Sequence, residues 1–305
     1  MKGLQKAVKD YLNMRRALGY KLKDAPRLLS DFVAFYEEQA ASHITIPLAL
    51  QWAQRTPARP AEWARRLTCV RCVARYWSAT DPQTQIPPWS LLPHRPSRAR
   101  PYLYTDKEIR QLLEAAQAMG GLPGVTYSCL FGLLSVTGMR IGEVLNLKTK
   151  DVDLAQGVLT IVGAKFGKTR LVPIHASTQK ALCKFLRKRD RVFGGNLSYF
   201  FVSRLGNRLD GGQVRRTFYR LSRKVGLRGA TASQGPRLHD FRHLFAAKTL
   251  VNWYRSGQDV ERRLPVLSTY LGHGHVSDTY WYLTICPELM GLAVNRLERH
   301  WEESP

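Results

Sequence analysis

Apolar residues recur at helical spacing through most of the chain. Leu4, Val8, Tyr11, Leu12 and Leu18 follow one helical face, and Gly19 stands where a C-cap belongs. Asp24 is placed to cap a second helix that turns Leu28, Leu29, Phe32, Val33 and Tyr36 inward. Residues 48–55 and 61–79 read as two more helices, the last carrying Arg65, Arg66, Arg71 and Arg75. Residues 1–81 thus predict a small, all-helical, basic domain.

The pattern then breaks. PQTQIPPWSLLPHRPSRARP, residues 82–101, holds six prolines and four Arg or His residues. Such composition predicts an extended linker whose cations can lie along phosphates. A second domain, 102–305, follows. Thr105 and Glu108 form a capping box that opens a helix over 106–118. Residues 125–136 read as a buried helix, with another over 140–147. The stretch 157–174 alternates as a β-hairpin with FGK at its turn and Pro173 at its edge. Helices are predicted near 176–191, 211–225 and 239–254. Another helical stretch runs into LGHGH, where Pro265 should break or start a helix, and 287–301 is a last amphipathic helix. The fold class is mostly α with a small antiparallel sheet.

Charge sharpens this picture. Among 305 residues, 47 Lys and Arg face 23 acids, for a net charge of +24. Residues 1–100 carry 17 basic and 7 acidic side chains and the remainder 30 and 16, so no single basic tail explains the surplus. A surplus on both parts suits contact with a polyanion through each, although charge alone also fits a general solubility excess. No run of eighteen apolar residues is present, so no membrane span is predicted. The N-terminal stretch lacks the apolar core of a secretory signal. Five cysteines without a disulfide rhythm point to reduced thiols in a cytoplasm. Cys69 and Cys72 share a helix face and read as core packing rather than a zinc site.

Four clusters hold polar residues that a core has no reason to keep. TGMRIGE, 137–143, sets Arg140 after a Thr-Gly turn, with Glu143 one turn later. AKFGKTR, 164–170, gathers Lys165, Lys168 and Arg170 about a hairpin tip. LHDFRHLFA, 238–246, puts His239 and Arg242 on one helical face. LGHGHVSDTYWYL, 271–283, holds His273, Tyr280 and Tyr282. His239 with His243 has metal-ligand spacing but lacks the Glu of H-E-x-x-H, and no zinc site is predicted.

In this order the four clusters resemble the tyrosine recombinase (phage integrase) family. The resemblance covers essentially all of residues 100–300. The basic helical module in front is similar to that family's core-binding domain. What the resemblance implies is specific. Two domains would close as a C-shaped clamp on duplex DNA. Arg140 and Arg242 would grip the scissile phosphate bidentately, as point-charge lysines could not. Lys165 would protonate the leaving 5′-oxygen, with Lys168 as the alternative. His239 and His273 would bind phosphate oxygens or assist proton transfer. Glu143 would hold a neighbouring Arg, a role compatible with a plain helix ion pair. The family's spacing of nine residues from the L-G-H histidine selects Tyr282 as nucleophile. On a helix Tyr280 would lie about 200° away and serve packing or DNA contact.

The same resemblance implies a 3′-phosphotyrosyl intermediate that needs neither ATP nor metal, and no cofactor. It implies a homotetramer joining two recombination sites through a Holliday junction, with a monomer or dimer on one site. An accessory recombinase or a directionality factor fits the same plan. The long lead-in to LGH looks like a transposon-borne branch. Arg65, Arg66, Arg71, Arg75, Lys168 and Arg170 are candidate DNA contacts, the α-helical arginines having a solvated face as the other reading. Leu289, Leu292, Val294 and Leu297 would dock the last helix on a neighbour or on its own domain. Rival functions are a type IB topoisomerase, a silent DNA-binding accessory protein and a metal-dependent nuclease.

Overall fold

A computed structural model describes residues 3–92, 100–163, 169–232, 234–284 and 287–302, without the side chains of 299–302. The chain divides into two compact units, Met1–Ala99 and Arg100–Pro305.

The first unit contains α1 (Gly3–Ala17), α2 (Ala25–Glu38), α3 (Ile46–Gln54) and α4 (Pro60–Trp77). Their apolar stripes meet in one core, where Phe32 packs edge-on against Trp52 at 5.1 Å. Gly19 follows α1 at φ 85°, a conformation glycine adopts without penalty. Asp24 precedes α2 but makes no side-chain cap. Its carboxylate reaches Arg65 instead, at 3.5 Å. Thr45 caps α3 by accepting from the Leu48 amide.

Part of the segment read as a linker is packed structure. Gln85 donates its amide to Ile44, and its side chain accepts from the Ile46 amide. Leu91 and Leu92 lie against the first unit's core. Arg71 accounts for much of this. It is buried, donates to the carbonyls of Pro87 (2.6 Å) and Pro88 (2.8 Å), and lies over the Trp89 ring. Proline carbonyls are free acceptors in a stretch whose nitrogens cannot donate, so a buried guanidinium suits them.

The second unit is built on α5 (Asp106–Gln117), α6 (Gly121–Thr137), α8 (Ala176–Phe193), α9 (Gly211–Lys224) and α10 (Asp240–Arg255), with short α7 (Ile141–Asn146) after α6. Thr105 and Glu108 form the expected capping box. Leu130, Phe131, Leu134, Phe218 and Phe241 lie at the core's centre. Strands β1 (Val152–Asp153), β2 (Val158–Ile161) and β3 (Arg170–Pro173) form an antiparallel sheet in sequence order. Leu159 pairs with Val172, and both are buried, so the hairpin turns one face to the core. The predicted FGK turn lies outside the described residues.

A satellite core joins α10, α11 (Val260–Leu271), and α13 (Pro287–Glu302). Pro265 does not break α11; it sits within the helix on its exposed side. The buried Leu264, Leu267 and Leu271 hold the helix against α10, enough to offset one missing amide. On α13, Leu289 is buried in this core, whereas Val294 and Leu297 stay half-exposed. Among the described residues no helix is long and apolar enough to cross a membrane.

Candidate active site

The site forms where α11 ends. Gly272 adopts φ 69° and the His273 amide donates back to Ser268, closing a Schellman turn. The carbonyls of Tyr270, Leu271 and Gly272 stand at the helix's negative end. Three arginines from elsewhere satisfy them. Arg170 donates to Tyr270 (2.7 Å), Arg242 to Leu271 (2.6 Å), and Arg140 to Gly272 (2.9 Å) and Leu271 (3.4 Å). Arg242 also donates to the Gly138 carbonyl at 3.0 Å. Gly138 itself is left-handed, at φ 60°, and ends α6. Two glycine turns therefore aim carbonyls at one buried guanidinium.

Glu143 ties the arginines together. It accepts from the Arg140 amide (2.9 Å) and guanidinium (3.0 Å), and from Arg170 at 2.9 and 2.8 Å. Burial by itself would push this carboxyl up; the Arg170 hydrogen bonds and the two positive charges hold it below its ordinary value. It is ionised at neutral pH.

Tyr282 lies against Arg242. A short helix, α12 (Ser277–Tyr280), passes into a 3₁₀ turn over Trp281–Thr284, which carries the ring inward. Tyr282 is 2% exposed and Tyr280 54%. The Tyr282 ring stacks on His273 at 5.8 Å and lies 5.7 Å from His243. His243 meets His239 edge-on at 4.7 Å and Trp281 at 5.0 Å. Burial pulls Arg242 down to about 10, opposed by the neighbouring Tyr282 phenol, so it stays charged. Burial and then Arg242 and Arg140 pull His273 down to about 4. His239 is lowered for the same reasons, burial first. Both imidazoles are neutral at pH 7. His273 Nδ1 and the buried Thr279 hydroxyl share a 2.7 Å hydrogen bond, which leaves Nε2 for chemistry.

A family model for the phage integrase family matches residues 103–287. The chain belongs to the phage integrase family. It is 57% identical to the Sinorhizobium fredii protein named integrase/recombinase y4rB over 99% of each chain. It is 30% identical to the tyrosine recombinase XerD of Xanthomonas axonopodis pv. citri, over 77% of this chain and 75% of that one. In fold it is similar to the Tn1549 transposon integrase solved in complex with transposon right end DNA, with a TM-score of 0.67. That match is 15% identical and covers 96% of this chain and 98% of that one. The protein is a tyrosine site-specific recombinase, a DNA-binding enzyme of strand breakage and rejoining.

Within this integrase the structure brings Arg140, Glu143, His239, Arg242, His273 and Tyr282 into one site from three separate segments. Lys165 and Lys168 lie outside the described residues. Two candidate DNA contacts need correction. Arg170 has a side chain 10% exposed and spends all three nitrogens on Glu143 and Tyr270. Arg71 is buried among proline carbonyls. In sequence both read as surface cations, because residue order does not tell a snorkelling arginine from a pinned one. Arg65 pairs with Glu62 and Asp24, Arg66 with Glu62, and Arg75 is exposed. The expected packing of Cys72 also fails, since its side chain faces outward while Cys69 is half-buried. His243 and Trp281 were missed as neighbours of Tyr282. The signal for His243 was its four-residue spacing from His239, which puts both rings on one helical face.

Proposed function

We propose that this integrase cuts one DNA strand by attack of Tyr282 on the scissile phosphorus. The phenol oxygen–phosphorus bond forms as the bond to the 5′-oxygen breaks, leaving a 3′-phosphotyrosyl enzyme and a free 5′-hydroxyl. Attack adds charge to the non-bridging oxygens, and Arg140 and Arg242 neutralise it. What supports this reading is one observation: the buried tyrosine, not its exposed neighbour, lies beside Arg242, which shares the Leu271 carbonyl with Arg140. Arg242 is preorganised by two carbonyls and needs no reorganisation when charge develops. Neutral His273 and His239 add hydrogen bonds to phosphate oxygens, or take the tyrosine proton, without competing for the arginines' charge. Lys165 protonates the departing 5′-oxygen, and rejoining reverses the steps with the 5′-hydroxyl of a second duplex.

Both units hold duplex DNA on this reading, with Arg65, Arg66 and Arg75 among the phosphate contacts of the first. Four protomers on two sites exchange strand pairs through a Holliday junction. The resemblance to a transposon integrase favours a role in moving a genetic element. The test is covalent trapping on nicked suicide duplexes bearing the element's own ends, in EDTA, on a denaturing gel. A DNA-shifted band lost with Tyr282→Phe and kept with Tyr280→Phe is expected. Loss with Tyr280→Phe alone would assign the nucleophile to the wrong tyrosine. No band with any variant, despite tight binding, would favour the silent accessory protein. Loss in EDTA alone would favour a metal-dependent nuclease. Relaxation of supercoils without exchange between two labelled duplexes would favour a topoisomerase.

A further inference from the structure

Arg170 begins β3, opposite Ile161 at the end of the hairpin ladder. From there its side chain reaches α7 and the end of α11 together. Its two terminal nitrogens bind both oxygens of Glu143, at 2.9 and 2.8 Å, and Nε binds the Tyr270 carbonyl at 2.7 Å. Each Glu143 oxygen then accepts a second hydrogen bond, one from the Arg140 guanidinium and one from its amide. Arg140 is 27% exposed at its side chain against 10% for Arg170 and 8% for Glu143. A phosphate can therefore reach Arg140, while the pair behind it is closed off.

We propose that Arg170 is a positioning residue of strand cleavage: it clamps Glu143 so that Arg140 presents a fixed guanidinium to the scissile phosphate. This rests on the phosphate-gripping role of Arg140 given above. Stability alone is a poor reason for the pair. Burying a carboxylate and a guanidinium costs desolvation that their attraction only partly repays, and apolar residues of similar volume often serve stability as well. What a forked arginine supplies and an apolar pair lacks is direction. The neighbourhood is shaped around it: a Cβ on Gly272 would stand 2.9 Å from an Arg170 nitrogen. Lysine at 170 keeps the charge but cannot bind both carboxylate oxygens and Tyr270 in one plane.

Single-turnover adduct formation at saturating DNA tests this with wild type, Arg170→Lys, Glu143→Gln and the double variant. Each meets two suicide duplexes, one with a phosphodiester and one with a methylphosphonate at the scissile position. The methyl group removes one charged oxygen, and with it part of what Arg140 neutralises. On the phosphodiester, Arg170→Lys and Glu143→Gln are each expected to slow cleavage roughly 10²-fold, the scale of a small misplacement at the reacting centre. The double variant should be no slower than the worse single one, because both act through one contact. DNA affinity should change less than about twofold, since neither side chain is open to phosphate. On the methylphosphonate the loss should shrink markedly. Equal losses on both substrates would overturn the proposal, because general loosening slows both alike. Unchanged cleavage would also overturn it. If Arg170→Lys fails to fold by circular dichroism, Glu143→Gln on the two substrates decides. Wild type that forms no adduct on the phosphodiester would instead sink the strand-cleavage reading beneath it.

Discussion

Tyr280 and Tyr282 are two positions apart, and a change from α-helix to 3₁₀ turn separates their environments. On the proposed mechanism Tyr282→Phe removes the attacking oxygen while keeping the ring stacked on His273, so the fold should hold and the adduct vanish. Arg242 binds two buried carbonyls, and the proposed mechanism gives it a chemical role as well. Arg242→Gln should slow cleavage by about 10²–10³, as loss of a charged donor in the transition state does. It should also lower stability, because the Gly138 and Leu271 carbonyls lose a buried donor, at about 1–3 kcal/mol each. Thermal melts beside single-turnover rates separate the two. His273 carries a pH signature. Its folded value near 4 lies below the ordinary histidine value, so between those two the unfolded chain binds the extra proton. Stability should therefore fall as pH drops from about 6.5 towards 4, and His273→Gln should flatten that part of the profile in urea melts.

At the scale of elements, caps and turns do more than end helices. Gly272 ends α11 and also gives Arg170 room. Gly272→Ala forces a left-handed conformation costing about 1–2 kcal/mol and drives Cβ into the guanidinium. The expected result is a lower Tm together with a slower cleavage rate, read on the same preparation. Thr105→Ala tests an ordinary cap. It removes the α5 capping box, whose hydrogen bonds run between Thr105 and Glu108 and include no residue of the site, so about 1 kcal/mol of stability should go while cleavage per folded molecule stays the same. These elements were legible because their causes are local. Apolar spacing found α1 to α6, and Thr105 with Glu108 marked the start of α5. Asp24 and Pro265 misled for the opposite reason. Asp24 found a better partner in Arg65, and the packing of α11 on α10 held a proline that isolated helix propensity would reject.

For the whole molecule, the net charge of +24 overstates what is free to meet DNA. Arg71, Arg189 and Arg242 are fully enclosed and bind backbone carbonyls, and Arg170 is nearly so. Arg71→Met should thus destabilise the first unit, by freeing the 82–92 segment, without lowering the salt dependence of DNA binding. Arg75→Ala should do the reverse, with the slope of log K against log salt falling by about one contact. Binding isotherms at several salt concentrations, beside melts, check both.

Residue order alone determined the helical class, the change of texture near residue 82, and the family, because helical periodicity and motif spacing are written along the chain. The family's spacing, counted from His273, also singled out Tyr282, which is the tyrosine the fold buries. Tertiary structure alone decided which arginines serve each other and which face outward. That outcome depends on where Tyr270, Leu271, Gly272 and Gly138 aim their carbonyls, and two glycine turns set that aim. A guanidinium goes where acceptors converge, and convergence is a property of the folded chain, not of any segment in it.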